Sequence, residues 1–466
     1  MAWIPKLSIA LRSSGLQYLI GLSVHCLYLL ILFSSDTSYR NIQLPQGIYS
    51  ENLWKGTDVL TYVGPAQNFL QYGIFGFGMT PDYRRTIGYP SFLSLLMVLF
   101  GTYWFIFAWL AQAALFALIY PLLSRISSLL FDSDNNSVII SFLLLILCGT
   151  YIVRIPALMT DTFFTVFFTL GLWLGLESIR KKSYRYLLLH VICIGYTAQV
   201  RPVLALYPVI NCLILIYISK KYELFRENKV RLSIASSLLL LLIICNMPSI
   251  RNYINHGFFQ PTNILAVDLF EHLGRDVLIG EGKAHEYNIL EGNVQRVANI
   301  KEKIRLQEEL AMKIYSTYPA RTLQVLMRNA VGIMGRAHWP LAARFWGYNF
   351  KDEFGPAHMK LKRLTVVFYL ESFFNLVYFI VYLLFFGFLV RTFRVGNYML
   401  FLVICLLIGY FLIPTFINPG GGSRMRLPVE GLIITMASCQ FVSLFYAFKG
   451  KLLRLTRSAE NLGPPA

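Results

Sequence analysis

The sequence predicts an all-α polytopic membrane protein with about ten transmembrane helices, membrane-parallel outer helices and a small α-rich outer domain. Three observations lead there. Of 466 residues, 56% are hydrophobic and 14% charged, against about 25% charged in soluble globular chains, so too few charges exist to cover a water-facing surface of this size. The mean hydropathy is +0.55. Apolar runs of spanning length recur along the chain, with Lys and Arg in short clusters between them. The net charge is +18, but clusters scattered between spans reflect membrane topology, because cytoplasmic loops retain basic residues. A nucleic-acid partner would call for one basic patch instead.

Lys6 and Arg12 precede the first apolar run, Gly15 to Phe33. The run is long enough to span and no small-residue cleavage pattern follows, so it reads as a retained helix with a cytoplasmic N-terminus. Further spans read at 103–123, 138–153, 161–178, 187–200, 203–219, 232–250, 365–390, 397–417 and 428–448. Tyr89–Phe100 is apolar but only about 12 residues long, too short at about 1.5 Å per residue to cross about 30 Å. Charge parity agrees. If this segment does not span, the clusters Arg180–Lys182, Lys220–Arg231, Arg391 with Arg394, and Lys449–Arg457 all fall inside, as the rule for short loops requires. It therefore reads as a re-entrant or interfacial helix.

This divides the chain into an N-terminal transmembrane module, 1–250, with a first outer loop at 34–101; an outer segment, 251–364; and C-terminal transmembrane helices with a cytoplasmic tail, 365–466. Asn299–Tyr318 is a polar helical stretch in the outer segment. No internal repeat or matched pair of broken helices appears, which argues against a secondary transporter. The cysteines all lie in apolar runs, which predicts no structural disulfide. No Cys/His spacing reads as a metal site.

The exceptions to the positive-inside rule are informative. Arg154, Arg201, Arg251, Arg424 and Arg426 fall at outer ends of spans. Arginine at such depth is costly unless paired or near water. Guanidinium grips phosphate through two parallel hydrogen bonds, so these arginines point to an anionic ligand at the outer leaflet; the competing reading is snorkelling beside acidic partners. Arg84 and Arg85 precede Gly88-Tyr89-Pro90, a turn that opens the short apolar helix, and would sit near a phosphate headgroup. Asp58, in G-T-D-V-L-T-Y, and Asp161, in M-T-D-T-F-F, are the candidate catalytic carboxylates. Asp58 would act as general base toward an acceptor hydroxyl. For both, the alternative is helix capping, shared with Thr57 or Thr160. Tyr62, Asn68 and Tyr89 in the same outer loop are candidates for positioning donor or acceptor.

The ordered pieces carry a resemblance. An Asp in the first outer loop precedes A-x-N-F-L-x-x-G-x-F and R-x-x-G-Y-P; then come M-T-D at a span start, R-P after a span, P-S-I-R-N-Y and R-M-R-L-P. This resembles the GT-C class of polytopic glycosyltransferases. More closely, it resembles the family of dolichyl-phosphate-mannose protein mannosyltransferases and bacterial lipid A aminoarabinose transferases (glycosyltransferase family 39). The resemblance covers residues 15–260 and the late R-x-R-L-P element. It implies an inverting transfer on the outer face, from a polyprenyl-phosphate-linked sugar to a glycan, lipid or glycolipid hydroxyl. Asp58 then matches the catalytic first-loop acid and Asp161 the second functional acid, with Arg201, Arg251, Arg424 and Arg426 as phosphate contacts. Ile87-Gly88-Tyr89-Pro90 replaces the lysine-proline-proline element of the aminoarabinose transferases, so Arg84 or Arg85 takes the lysine's place. Val59 follows Asp58 where the protein mannosyltransferases carry paired acids, which argues against a protein acceptor. A divalent metal is neither required nor excluded. The other readings are an O-antigen-type polymerase or ligase and a lipid-linked glycan transporter. The expected location is a bacterial inner membrane rather than the endoplasmic reticulum.

Overall fold

The computed structural model describes residues 13–35, 57–149, 151–152, 154–156, 158–335, 357–417 and 426–460. Helices occupy all ten places where spans were expected: α1 (Ser14–Ser35), α4 (Trp104–Phe131), α5 (Asn135–Leu147), α6 (Asp161–Arg180), α7 (Tyr184–Val200), α8 (Tyr207–Lys221), α9 (Asn228–Cys245), α16 (Ala357–Arg394), α17 (Tyr398–Ile417) and α18 (Leu427–Glu460). Among the described residues, seven helical stretches are long and apolar enough to cross a bilayer. The chain is an integral membrane protein. α5, α7 and α8, at 13, 17 and 15 residues, are shorter than the roughly 20 residues a full crossing takes.

Local chemistry sets two of these ends. Pro202 drives the preceding Arg201 out of the helical region, to φ −141° and ψ 130°, as a proline does to its neighbour, and α7 stops there. α5 ends at Leu147, earlier than the expected 153, with Gly149 in the left-handed region at φ 62°. The chain then turns back onto α4, where Trp109 Nε1 donates to Pro156 O at 2.9 Å and Gln112 Nε2 to Ile155 O at 2.6 Å.

The expected cytoplasmic loops meet at one end of the bundle. Lys221 Nζ lies 2.8 Å from Asp132 Oδ2, Lys182 pairs with Glu227, and Arg180 grips Glu177 at 2.8 Å.

The first outer loop contributes α2 (Thr57–Tyr72), a two-stranded hairpin of β1 (Gly76–Phe77) and β2 (Thr80–Pro81), and α3 (Gly88–Phe100). The strands run antiparallel, pairing Gly76 with Pro81 and Phe77 with Thr80. α3 is the expected short apolar helix, with Pro90 in its first turn; Gly101 breaks it from α4 at φ 52°. Ser94 Oγ donates to Ala66 O at 3.1 Å and ties α3 to α2.

The outer segment opens with α10 (Met247–His256). α11 (Ile264–Val267) then runs through a π-helical turn at Asp268–Gly274 into α12 (Arg275–Gly280), followed by α13 (Ala284–Arg296), α14 (Ile300–Thr317) and α15 (Pro319–Gly335). Phe270, Val277, Leu278, Tyr287, Val294 and Ala311 form a core separate from that of the bundle. α14 matches the expected polar helix. Asn299 caps it by accepting from Lys301 N at 2.9 Å and Glu302 N at 3.3 Å, the usual service of an N-cap asparagine.

Candidate active site

Asp58 is the second residue of α2; its side chain lies outside the described residues. Thr61 and Tyr62 follow three and four positions later, one helical turn along. Arg85 docks on both: its Nε donates to Thr61 Oγ1 at 3.0 Å and its guanidinium lies 4.9 Å from the Tyr62 ring centroid. The other side of Tyr62 meets the edge of Tyr89, with centroids 5.6 Å apart and planes at 89°, a favoured aromatic geometry. The helix carrying Asp58 is thereby fixed to an arginine from the turn before α3.

Asn68 and Tyr89 differ from expectation. Asn68 clamps the hairpin: its Nδ2 donates to Ile74 O and Gly78 O at 2.8 and 2.9 Å, and its Oδ1 accepts from Gly78 N at 2.8 Å. With the amide spent on main chain, its role is to shape the loop. Asn68→Ala is expected to cost about 1–2 kcal/mol and to raise amide exchange across the hairpin, read by hydrogen–deuterium exchange. Tyr89 is fully buried and donates to Gln112 Oε1 at 2.9 Å, which closes it to a ligand.

Tyr89 leads to the second cluster, with its ring 5.5 Å from Phe163 in the first turn of α6. There Arg201 is held by three partners. Its Nε donates to Thr160 Oγ1 at 2.8 Å, one Nη pairs with Asp161, and its guanidinium lies 5.4 Å from the Phe164 ring centroid. Thr160 does not cap α6 through its side chain; its hydroxyl and the Asp161 carboxylate both meet Arg201. Asp161 is 2% exposed while the arginine side chain keeps 19%. The carboxylate therefore orients a guanidinium that solvent still reaches.

A close backbone approach joins the two clusters. A Cβ on Gly88 would lie 2.6 Å from Gln199 O and 2.9 Å from Val200 N, so only glycine lets α3 meet the end of α7 just before Arg201. Tyr196 Oη donates to Gly88 O at 3.2 Å across the same junction. Gly88→Ala is expected to push these elements apart at about 1–3 kcal/mol, lowering the unfolding temperature of the detergent-solubilised protein.

The remaining arginines divide. Arg251 donates to Arg85 O at 3.2 Å and to Asn252 Oδ1 at 3.0 Å, so it stands beside the first cluster. Arg84 stays on its own loop, 3.6 Å from Asp82 and 5.3 Å from the Phe77 ring centroid. Arg154 is buried in the turn after α5. Arg424 lies outside the described residues. Arg426 is fully enclosed: it pairs with Glu430 at 3.0 Å and donates to Ile333 O and, at 2.8 Å, to Met334 O. Its burial and these partners tie the start of α18 to the end of α15.

Sequence reasoning missed Thr61, Thr160 and Glu430 as partners of these arginines. The signals were spacings: Thr61 one turn past Asp58, and Glu430 four residues past Arg426. Among the described residues no group of three or more His, Cys, Asp or Glu side chains is placed to hold a metal ion.

No protein-family model matches the chain, and no curated protein matches it. Among solved structures it is similar to the archaeal oligosaccharyltransferase AglB from Archaeoglobus fulgidus, in complex with an inhibitory peptide and a dolichol-phosphate. The identity is 12% and the TM-score 0.48, over 96% of this chain and 52% of that one. The chain thus spans about half the length of that protein, and a likeness so distant carries no function across.

Proposed function

We propose that this protein is an integral membrane glycosyltransferase, moving a sugar from a polyprenyl-phosphate donor to a hydroxyl of a glycan, lipid or glycolipid on the outer face of a bacterial inner membrane. The supporting observation is the docking of Arg85 on Thr61 and Tyr62, one turn beyond Asp58, with Arg251 on the Arg85 main chain. A carboxylate-bearing residue on α2, one turn before such a docked arginine, with a further oriented arginine across the Gly88 junction, suits one reaction. Asp58 takes the proton of the acceptor hydroxyl, and that oxygen attacks the anomeric carbon from the face opposite the leaving group. The bond from the anomeric carbon to the phosphate oxygen breaks, and its electron pair leaves with the polyprenyl phosphate. Charge grows on the leaving oxygen, where preorganised cations help most; Arg85, Arg201 and Arg251 meet it there. Asp161 keeps Arg201 in place. Inversion at the anomeric carbon follows from the single displacement.

Mass spectrometry of envelope glycans tests this in cells lacking the protein, resupplied with wild type or with Asp58→Asn. One sugar is expected to vanish from a glycan and to return with wild type alone. An unchanged glycan profile in the deletion would overturn the proposal.

A further inference from the structure

A cavity of about 300 Å³ opens between the first outer loop and the outer domain, lined by Arg84 and Arg85 on one side and by Asn263, Glu271, Lys303 and Gln307 on the other. It is at the small end of ligand pockets, which run from about 300 to 1,000 Å³, a size suited to one or two sugar rings rather than a long chain. Its walls are tied together. Thr262 Oγ1 donates to Arg84 O at 2.8 Å, and Arg251 to Arg85 O at 3.2 Å.

The wall chemistry is unusual for a solvated crevice. Gln307 is 1% exposed and Asn263 8%, and each keeps a buried side-chain carbonyl oxygen with no hydrogen-bond partner. The Gln307 amide is oriented by chemistry: its Nε2 donates to Glu271 Oε1 at 3.0 Å, and an ionised carboxylate can only accept. The carbonyl oxygen is left over as an acceptor. Buried polar groups without partners are costly, and a ligand hydroxyl reaching this wall would relieve that cost. Three cations line the same space against one carboxylate, so a ligand there should also carry negative charge. Sugar hydroxyls would serve the amide oxygens and Glu271, and an anionic group on the same sugar would meet Arg84 and Lys303.

We infer that this cavity binds an acidic saccharide unit, a sugar ring bearing a carboxylate or phosphate. Its assignment as the acceptor's subsite rests on the transferase reading. Arg85 forms the shared wall, with its guanidinium on Thr61 and Tyr62, one turn past the position of the proposed base in α2.

Saturation-transfer NMR on the full chain in lipid nanodiscs tests it with three probes: methyl β-glucuronide, methyl β-glucoside and inorganic phosphate. The glucuronide is expected to bind about tenfold or more tighter than the glucoside and than phosphate, because it alone offers both hydroxyls and a carboxylate. Lys303→Gln, at the half-buried rim, and Gln307→Met, in the wall, should each weaken it by about fivefold or more, a loss typical of one hydrogen-bond partner. Lys303→Gln tests the cavity even if Gln307→Met fails to fold. Equal binding of glucuronide and glucoside, phosphate binding as tight as the glucuronide, or undiminished binding by folded variants would overturn the inference. Binding by a wild type that transfers no sugar would overturn the transferase reading and leave the ligand class standing.

Discussion

Replacing Asp58 by Asn is expected to lower the rate of sugar transfer by about 10²- to 10⁴-fold, the range that a positioned general base supplies. Asparagine keeps the shape and can still accept from a backbone N–H in the first turn of α2, so the helix start survives. It cannot take a proton. The expected signature is therefore a collapse of kcat with an unchanged unfolding temperature and little change in donor affinity, measured on the purified protein. A transfer rate within a few-fold of wild type would leave Asp58 no more than a helix cap, a service asparagine performs equally well, and remove it from the mechanism.

The second large effect falls on stability. Glu430→Ala should cost about 3–5 kcal/mol, because removing one partner of a buried ion pair strands the other charge. Arg426 is 0% exposed and Glu430 1%. The Arg426 guanidinium lies 4.3 Å from the Tyr378 ring centroid, and Tyr378 Oη donates to Glu430. This knot joins α18 to α16 and to the end of α15. Thermal unfolding in detergent reads the loss. The double variant Arg426→Met/Glu430→Leu should recover most of it, since apolar replacement of a buried pair is often neutral or better. If Arg426 bound the donor instead, Glu430→Ala would leave stability near wild type and act on donor affinity.

These two residues show what was legible in the chain. The apolar runs and basic clusters located the ten helices expected as spans, because bilayer thickness and charge retention leave a coarse signal that one sequence carries. The polar helix over Asn299–Tyr318 and the Pro90 start of α3 were readable from local sequence alone. Side-chain partners were harder. Arg426 reads as an outer-leaflet arginine from its depth, yet Glu430 stands four residues on, where a helix makes it a neighbour. Tyr89 reads as a loop aromatic, but its burial depends on Gln112 and Phe163, both distant in sequence. Asn68 looks like a polar site residue because a hairpin with two residues per strand leaves almost no periodic trace. The early end of α5 depends on contacts with Trp109 and Gln112, which no local pattern announces. For Tyr89 and the end of α5, what could not be read was a contact across helices.

The central claim is sugar transfer from a lipid-linked donor with Asp58 as base. Its most direct test is the release of polyprenyl phosphate from synthetic polyprenyl-phosphate hexoses and pentoses by the purified protein in proteoliposomes, with an envelope extract as acceptor source. The account predicts release from one donor, coupled to transfer with an inverted anomeric centre, by wild type and not by Asp58→Asn. Release at the same rate by Asp58→Asn, or no release from any donor by wild type, would contradict it.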